Sequence, residues 1–202
     1  MFILKSIVEQ KFYDREVCDV AHDLIGRRLV RKWNGSVLAG IIIEAEAYRG
    51  EEDLACHAHL GKTRRNATMY GPPGHAYIYF TYGMHWMLNC VCGPDGSPAA
   101  VLLRSILPTD GLQIIASHRH QRGPSEWCNG PAKICQALGL DGKLNGTPLF
   151  QQTGDLRIEE GIHIPSSIIQ TSPRIGLGST PEPWLSKPWR YFITTEQLQN
   201  PG

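Results

Sequence analysis

From His75 to Cys92 the chain reads H-A-Y-I-Y-F-T-Y-G-M-H-W-M-L-N-C-V-C. Two runs rich in β-branched and aromatic residues, 75–82 and 85–92, lie on either side of Gly83, which is the composition of strands joined by a turn. Successive strand side chains point to opposite faces. Tyr77, Tyr79 and Thr81 therefore share one face, and Ile78, Phe80 and Tyr82 the other. Gly83 breaks the strand and leaves Tyr82 at the turn tip, where an aromatic ring can protrude. Working outward, Val37–Tyr48 and Ala99–Ser105 carry the same signal, and Pro94-Asp95-Gly96 marks a turn before the second of them. The pattern predicts a mainly antiparallel sheet.

Helices are fewer. Asp14 to Gly26 reads as one, capped by Asp14, with Val17, Val20, Ala21, Leu24 and Ile25 as its apolar stripe. Asp110 to about Arg119 is a second. Gly130-Pro131 opens a short third and Gly139 closes it. Beyond about residue 141 the signal weakens to short strand-like pieces at Leu156–Ile158 and Tyr191–Thr194. The expected architecture is α+β, a single domain over residues 1–202, with a curved antiparallel sheet and flanking helices.

A chain of 202 residues with 42% hydrophobic and 19% charged residues is long and apolar enough for one sizeable core. The net charge of +1 means that any nucleic-acid footprint must be local. Met1–Glu9 lacks the pattern of a secretory signal, and no run approaches the roughly 20 apolar residues that span a bilayer. Six scattered cysteines favour reduced thiols, so the expectation is a cytoplasmic protein, nucleoid-associated in a prokaryote or nuclear in a eukaryote.

On a strand, Glu44, Glu46 and Tyr48 would share one face, and Ile41, Ile43, Ala45 and Ala47 the other. The two carboxylates would stand roughly 6–7 Å apart, and in a dry site each raises the pKa of the other. An ionised carboxylate held near its target can activate water, although a solvated polar face would show the same spacing. The tyrosines admit ordinary hairpin packing or the gripping of a flat substrate. Asn89, polar within an apolar run, needs partners if buried and could discriminate substrates.

Cations cluster at Arg27, Arg28, Arg31 and Lys32, at Lys62, Arg64 and Arg65, and at Arg119 with Arg122. Each could be a solvated face, but several around one aromatic pocket suit a polyanion. The helix start at Gly130-Pro131-Ala132-Lys133 suits a phosphate, and Arg174–Gly178 offers a close backbone approach. Cys56-His57-Ala58-His59 and Cys90-x-Cys92 lack the paired spacing of a zinc site, so no metal is expected. Phosphate-loop, nucleophile-elbow and dinucleotide-binding patterns are absent from the sequence.

Taken in order, E-A-E-A-Y (44–48), R-N-A-T-M-Y-G-P-P-G-H-A-Y-I-Y-F-T-Y-G-M-H (65–85), A-A-V-L-L-R (99–104) and N-G-P-A-K-I-C-Q-A-L-G-L (129–140) resemble the 3-methyladenine DNA glycosylase family of the alkyladenine type. The likeness runs from about residue 12 to 192. It implies a base-excision-repair enzyme without an obligatory metal or organic cofactor, working as a monomer on double-stranded DNA that contains damaged purines. The expected substrates are methylated purines, hypoxanthine and ethenoadenine. By the same resemblance Glu46 is the general base, and Tyr48, His57 and Tyr79 surround the flipped base. Tyr82 fills the gap in the duplex, Asn89 clashes with the amino group of guanine, and Arg104 lies near the pocket and the DNA backbone. Arg64, Arg65 and Lys133 are the cations expected on DNA.

No lysine lies beside Glu46 or the tyrosines in the sequence, which favours a monofunctional enzyme over one with a lyase step. Arg49, next to Tyr48, and Cys56, before His57, depart from the family's usual residues. Two other readings compete: a non-catalytic nucleic-acid binding module, and an O-glycoside hydrolase using Glu44 and Glu46 as an acid–base pair.

Overall fold

A computed structural model describes residues 6–120 and 122–199; the apolar run at Met1–Lys5 lies outside the described residues. Along the chain lie α1 (Val17–Asp23), β1 (Arg28–Trp33), β2 (Ser36–Tyr48), β3 (Ala76–Thr81), β4 (His85–Cys92), β5 (Ala99–Asp110), α2 (Leu112–His118) and α3 (Pro131–Leu138). Then follow β6 (Leu156–Glu159), β7 (Gln170–Ser172), β8 (Arg190–Phe192) and α4 (Thr195–Gln199). The strands form one open sheet in the order β3-β4-β5-β2-β1-β6, with β8 joining β2 and β7 joining β8, and every pairing is antiparallel. This is the single-domain α+β fold that the sequence suggests.

The alternation is clean across four strands. Ile43, Ala45 and Ala47 of β2, Ala76 and Ile78 of β3, Leu88 and Cys90 of β4, and Val101 and Leu103 of β5 enter the main core, where α1 packs on β2 and β5 and α3 on β4 and β5. Their neighbours Tyr48, Tyr77, Tyr79, Val91 and Ala100 turn the other way and pack with Cys56, Ala58 and Met69. One face of the sheet therefore holds the molecule together and the other is free to build a site. Register shifts between β2 and β5 around Ile42–Ala45 bend β2 just before Glu46. There β8 takes the edge that β1 has left, pairing with Glu44 to Glu46.

Several expectations need correction. Glu16, rather than Asp14, caps α1, accepting from the Cys18 N–H at 2.7 Å. β5 continues beyond Ser105 to Asp110, so the second helix begins only at Leu112. The cations Arg28, Arg31 and Lys32 belong to β1, which the sequence reading missed. Arg28 joins Glu159 at 2.5 Å and Asp110 at 2.7 Å, and Arg27 pairs with Glu160, so this cluster links strands instead of offering an open polyanion site. Arg119 is buried against Gln136. The third helix matches its signal: Gly130 precedes it, and Gly139 ends it with φ +61°, where a Cβ would strike the Trp33 ring.

Candidate active site

β2 presents Glu44, Glu46 and Tyr48 on the free face of the sheet, and β5 sets Leu102 opposite Glu46. Glu46 is fully buried. Its Oε1 accepts the Ile175 N–H at 2.6 Å, and its Oε2 accepts the Tyr48 hydroxyl at 2.9 Å and Arg104 Nη1 at 3.3 Å. Burial raises the pKa of this carboxyl, while Arg104, the Ile175 amide and Tyr48 act in the opposite direction. Arg104 in turn gives its Nε to Glu44 at 2.9 Å, and Arg190 reaches the same Glu44 oxygen at 2.7 Å. Burial works against the Arg104 cation, but Glu46 and Glu44 outweigh it and hold its pKa above the ordinary value. Two carboxylates and two guanidiniums thus balance inside the wall, which lets an anion persist at a dry position.

Above this network opens a cavity of about 490 Å³, lined by Tyr48, His57, Tyr79, Asn89, Leu102 and Arg104 among others, a size that suits a small flat ligand. The His57 ring meets Tyr79 edge-on with centroids 4.4 Å apart, and its Nδ1 lies 3.1 Å from the Tyr77 hydroxyl. Burial against these rings, with Arg65 and His59 nearby, pushes the His57 pKa down to about 4. Part of the residue stands open to solvent, which tempers the shift, and its direction favours the neutral imidazole at pH 7. Burial, with Glu46 adding, likewise raises the Tyr48 phenol well above 10, so it remains a donor.

Asn89 is almost fully buried and its Nδ2 donates to the Tyr77 carbonyl at 3.1 Å, which fixes a polar amide in the cavity wall. Structural satisfaction and a wall position therefore coexist. Tyr82 is 80% exposed at the β3–β4 turn. Tyr82 and Gly83 both have positive φ, +52° and +67°, and the Met84 N–H bonds the Thr81 carbonyl at 3.2 Å, as in a type I′ turn. The turn corrects the strand-based expectation that Tyr82 shares a face with Ile78: Tyr82 lines the cavity mouth, while Phe80 packs on Trp86. Arg65 bonds the Phe80 carbonyl at 3.2 Å and lies 5.4 Å from the Tyr79 ring centre, and Arg64 beside it is exposed. Lys133 holds Asn129 at 2.7 Å, on the same helix turn as the cavity residue Pro131.

Two contributions escaped the sequence reading. Asn66, buried, donates to the His57 and Gly61 carbonyls at 2.8 and 3.0 Å and so ties down the loop that carries His57. The segment from Arg174, expected to offer a close backbone approach, forms a wall of the cavity through Ile175, Gly176 and Leu177, and its amide goes to Glu46, a partner that the sequence did not indicate. Arg49 turns away from the cavity to Glu16 and Glu52, whereas Cys56 lines it. Arg104 sits in the wall, but its guanidinium is engaged with carboxylates. Among the described residues no group of three or more His, Cys, Asp or Glu could hold a metal ion, and no helix is long and apolar enough to cross a membrane.

The family model of methylpurine-DNA glycosylase (MPG) matches residues 11–197. A protein of Carboxydothermus hydrogenoformans is 43% identical over 189 residues, 93% of this chain and 95% of its own length. One of Methanocella arvoryzae is 43% identical over 187 residues, 92% of each chain. A third, of Streptomyces avermitilis, is 38% identical over 199 residues, 98% of this chain and 92% of its own. Each bears the name "Putative 3-methyladenine DNA glycosylase". With its buried carboxylate, its aromatic cavity and a match across nearly all of its length, this chain belongs to the methylpurine-DNA glycosylase family.

Proposed function

We propose that this DNA glycosylase takes damaged purines out of duplex DNA into the cavity over Glu46 and hydrolyses the bond between base and sugar. The observation that carries the reading is a buried carboxylate, held by three donors beneath an aromatic cavity large enough for one base. Glu46 takes a proton from water, and the water oxygen bonds the sugar C1′ as the C1′–N bond breaks and its electron pair leaves with the base. The sugar passes through an oxocarbenium-like state that the Glu46 anion stabilises. A methylated purine cation departs as a neutral molecule. Hypoxanthine and ethenoadenine need a proton on leaving, so methylated purines are the readier substrates.

Extrusion from the stack costs a few kcal/mol and least for damaged pairs. The exposed Tyr82 ring suits the gap left behind, with Arg64, Arg65 and Lys133 on the phosphates. Among the described residues no lysine lines the cavity, which favours an intact abasic site as the product. Glu44, shared between Arg104 and Arg190, is unsuited to the acid of an O-glycoside hydrolase pair.

Duplex oligonucleotides bearing one methylated purine, hypoxanthine or ethenoadenine test the reading. The parent releases free base, and Glu46→Gln binds the same duplexes but releases about a thousandfold less, the scale of losing a general base together with its charge. Equal release by both proteins overturns the role of Glu46. Binding without release by the parent makes the chain a nucleic-acid binding module.

A further inference from the structure

Arg174 and Asp53 form an ion pair whose side chains are both fully buried, 121 residues apart in sequence. Arg174 Nη1 meets Asp53 Oδ2 at 2.5 Å and the Ala47 carbonyl at 3.0 Å, and Nη2 meets Asp53 Oδ1 at 2.9 Å. The guanidinium carbon lies 4.7 Å from the centre of the Tyr48 ring and 5.1 Å from that of Trp189. A buried pair is weak evidence for net stability, because desolvation of both ions offsets their attraction. Its distinctive consequence here is positional. Ile175, next in the chain, gives its N–H to Glu46 Oε1, and Tyr48, stacked on the guanidinium, gives its hydroxyl to Glu46 Oε2. Asp53 also accepts the Arg49 and Ala55 N–H groups at 3.1 and 3.0 Å, fixing the segment that leads to His57.

We propose that the Arg174–Asp53 pair is a positioning device for the catalytic carboxylate, aligning one donor on each oxygen of Glu46. The proposal rests on the reading of Glu46 as general base. A planar fork lying against two rings and bidentate to a carboxylate is a geometry that lysine cannot reproduce. Loss of that alignment weakens two hydrogen bonds to an anion, so the carboxylate becomes harder to ionise.

Arg174→Lys, Arg174→Gln and Asp53→Asn, each checked for folding by circular dichroism and melting, test this in single-turnover excision from a methylated-purine duplex across pH. The expected result is a plateau rate lowered about tenfold or more, and an acid limb displaced upward by about one pH unit, the scale of losing one charge-assisted hydrogen bond. Affinity for the uncleaved lesion duplex stays within about threefold, and Arg174→Lys retains more activity than Arg174→Gln. A folded variant whose acid limb does not move overturns the proposal. Should the variants unfold, the parent decides: the Ile175 amide resonance titrates with the midpoint of the excision profile and ceases to titrate in Glu46→Gln. An amide indifferent to that midpoint overturns the proposal. A parent that releases no base removes the general-base reading and this proposal with it, whereas release with an unmoved limb removes this proposal alone.

Discussion

The Tyr48 hydroxyl donates to Glu46 Oε2 at 2.9 Å from two positions along the same strand. Strand alternation alone brings the two side chains to one face, so a single element supplies both the carboxylate and one of the donors that hold it ionised. Tyr48→Phe keeps the ring on the cavity wall and deletes the donor. A hydrogen bond to a charged group contributes about 1.5–3 kcal/mol, so excision should slow by about tenfold or more while binding of the lesion duplex changes little. Single-turnover rates beside binding isotherms check this. An unchanged rate would mean that the hydroxyl does not support the reacting carboxylate.

The pH profile follows from the same site. Burial holds the Glu46 carboxyl above its ordinary value despite Arg104, Ile175 and Tyr48. Excision therefore declines as pH falls through a midpoint higher than the ~4.3 of a free glutamate. The sign for stability is the reverse of that for an acid whose pKa folding lowers: the folded state binds this proton more tightly than the unfolded one. The contribution of Glu46 to stability thus rises as pH drops through the raised value and is lost as pH climbs back through it. The downward shift of His57 keeps its imidazole neutral at pH 7, so the acid limb there is expected from Glu46. Rates of base release from pH 4 to 9 decide the matter, and an acid midpoint at or below the free-glutamate value would show that burial does not hold this carboxyl up.

Much of this site was legible because strands repeat every two residues. The pocket face of β2, β3, β4 and β5 is written directly into the sequence, and so are the ends of α3, where proline and glycine impose their own geometry. β1 was hidden because Arg28, Arg31 and Lys32 resemble a basic patch until Asp110, Asp155 and Glu159 come alongside. Those partners lie far away in sequence, as Asp53 does from Arg174. Local pattern carries no information on such pairs. Strand alternation fails at Tyr82 for a local reason: it ends where positive φ begins.

Asn89 is held in the cavity wall by its bond to the Tyr77 carbonyl. As an expectation of the proposed function, an amide fixed there would stand where an exocyclic amino group of guanine has to go. Asn89→Ala should narrow the preference for adenine-type over guanine-type lesions by about tenfold or more, the scale of 1–3 kcal/mol for one lost steric or polar contact. It should also cost about 1 kcal/mol of stability, the net worth of the one buried side-chain hydrogen bond lost. Competition between methylated adenine and methylated guanine duplexes reads the first effect, and thermal melting the second. Preference that survives the substitution would place discrimination elsewhere in the cavity.

Tyr82 sits at φ +52°, a region that a bulky side chain enters only at a cost of about 1–2 kcal/mol. Nothing in the free protein repays that cost through burial, because the ring is 80% exposed. Replacing it with asparagine creates Asn-Gly, the pair that a type I′ turn favours. Tyr82→Asn is therefore expected to raise stability by about 1 kcal/mol, or roughly 2–4 °C in melting temperature for a chain of this size. The same change removes a stacking ring and should weaken binding of the lesion duplex by about tenfold, given about 1–3 kcal/mol per stacked base. A gain in stability coupled to a loss of binding is the signature of a residue kept for function against the preference of its own backbone. A variant that melts higher and binds as tightly as the parent would instead show the protruding ring to be idle.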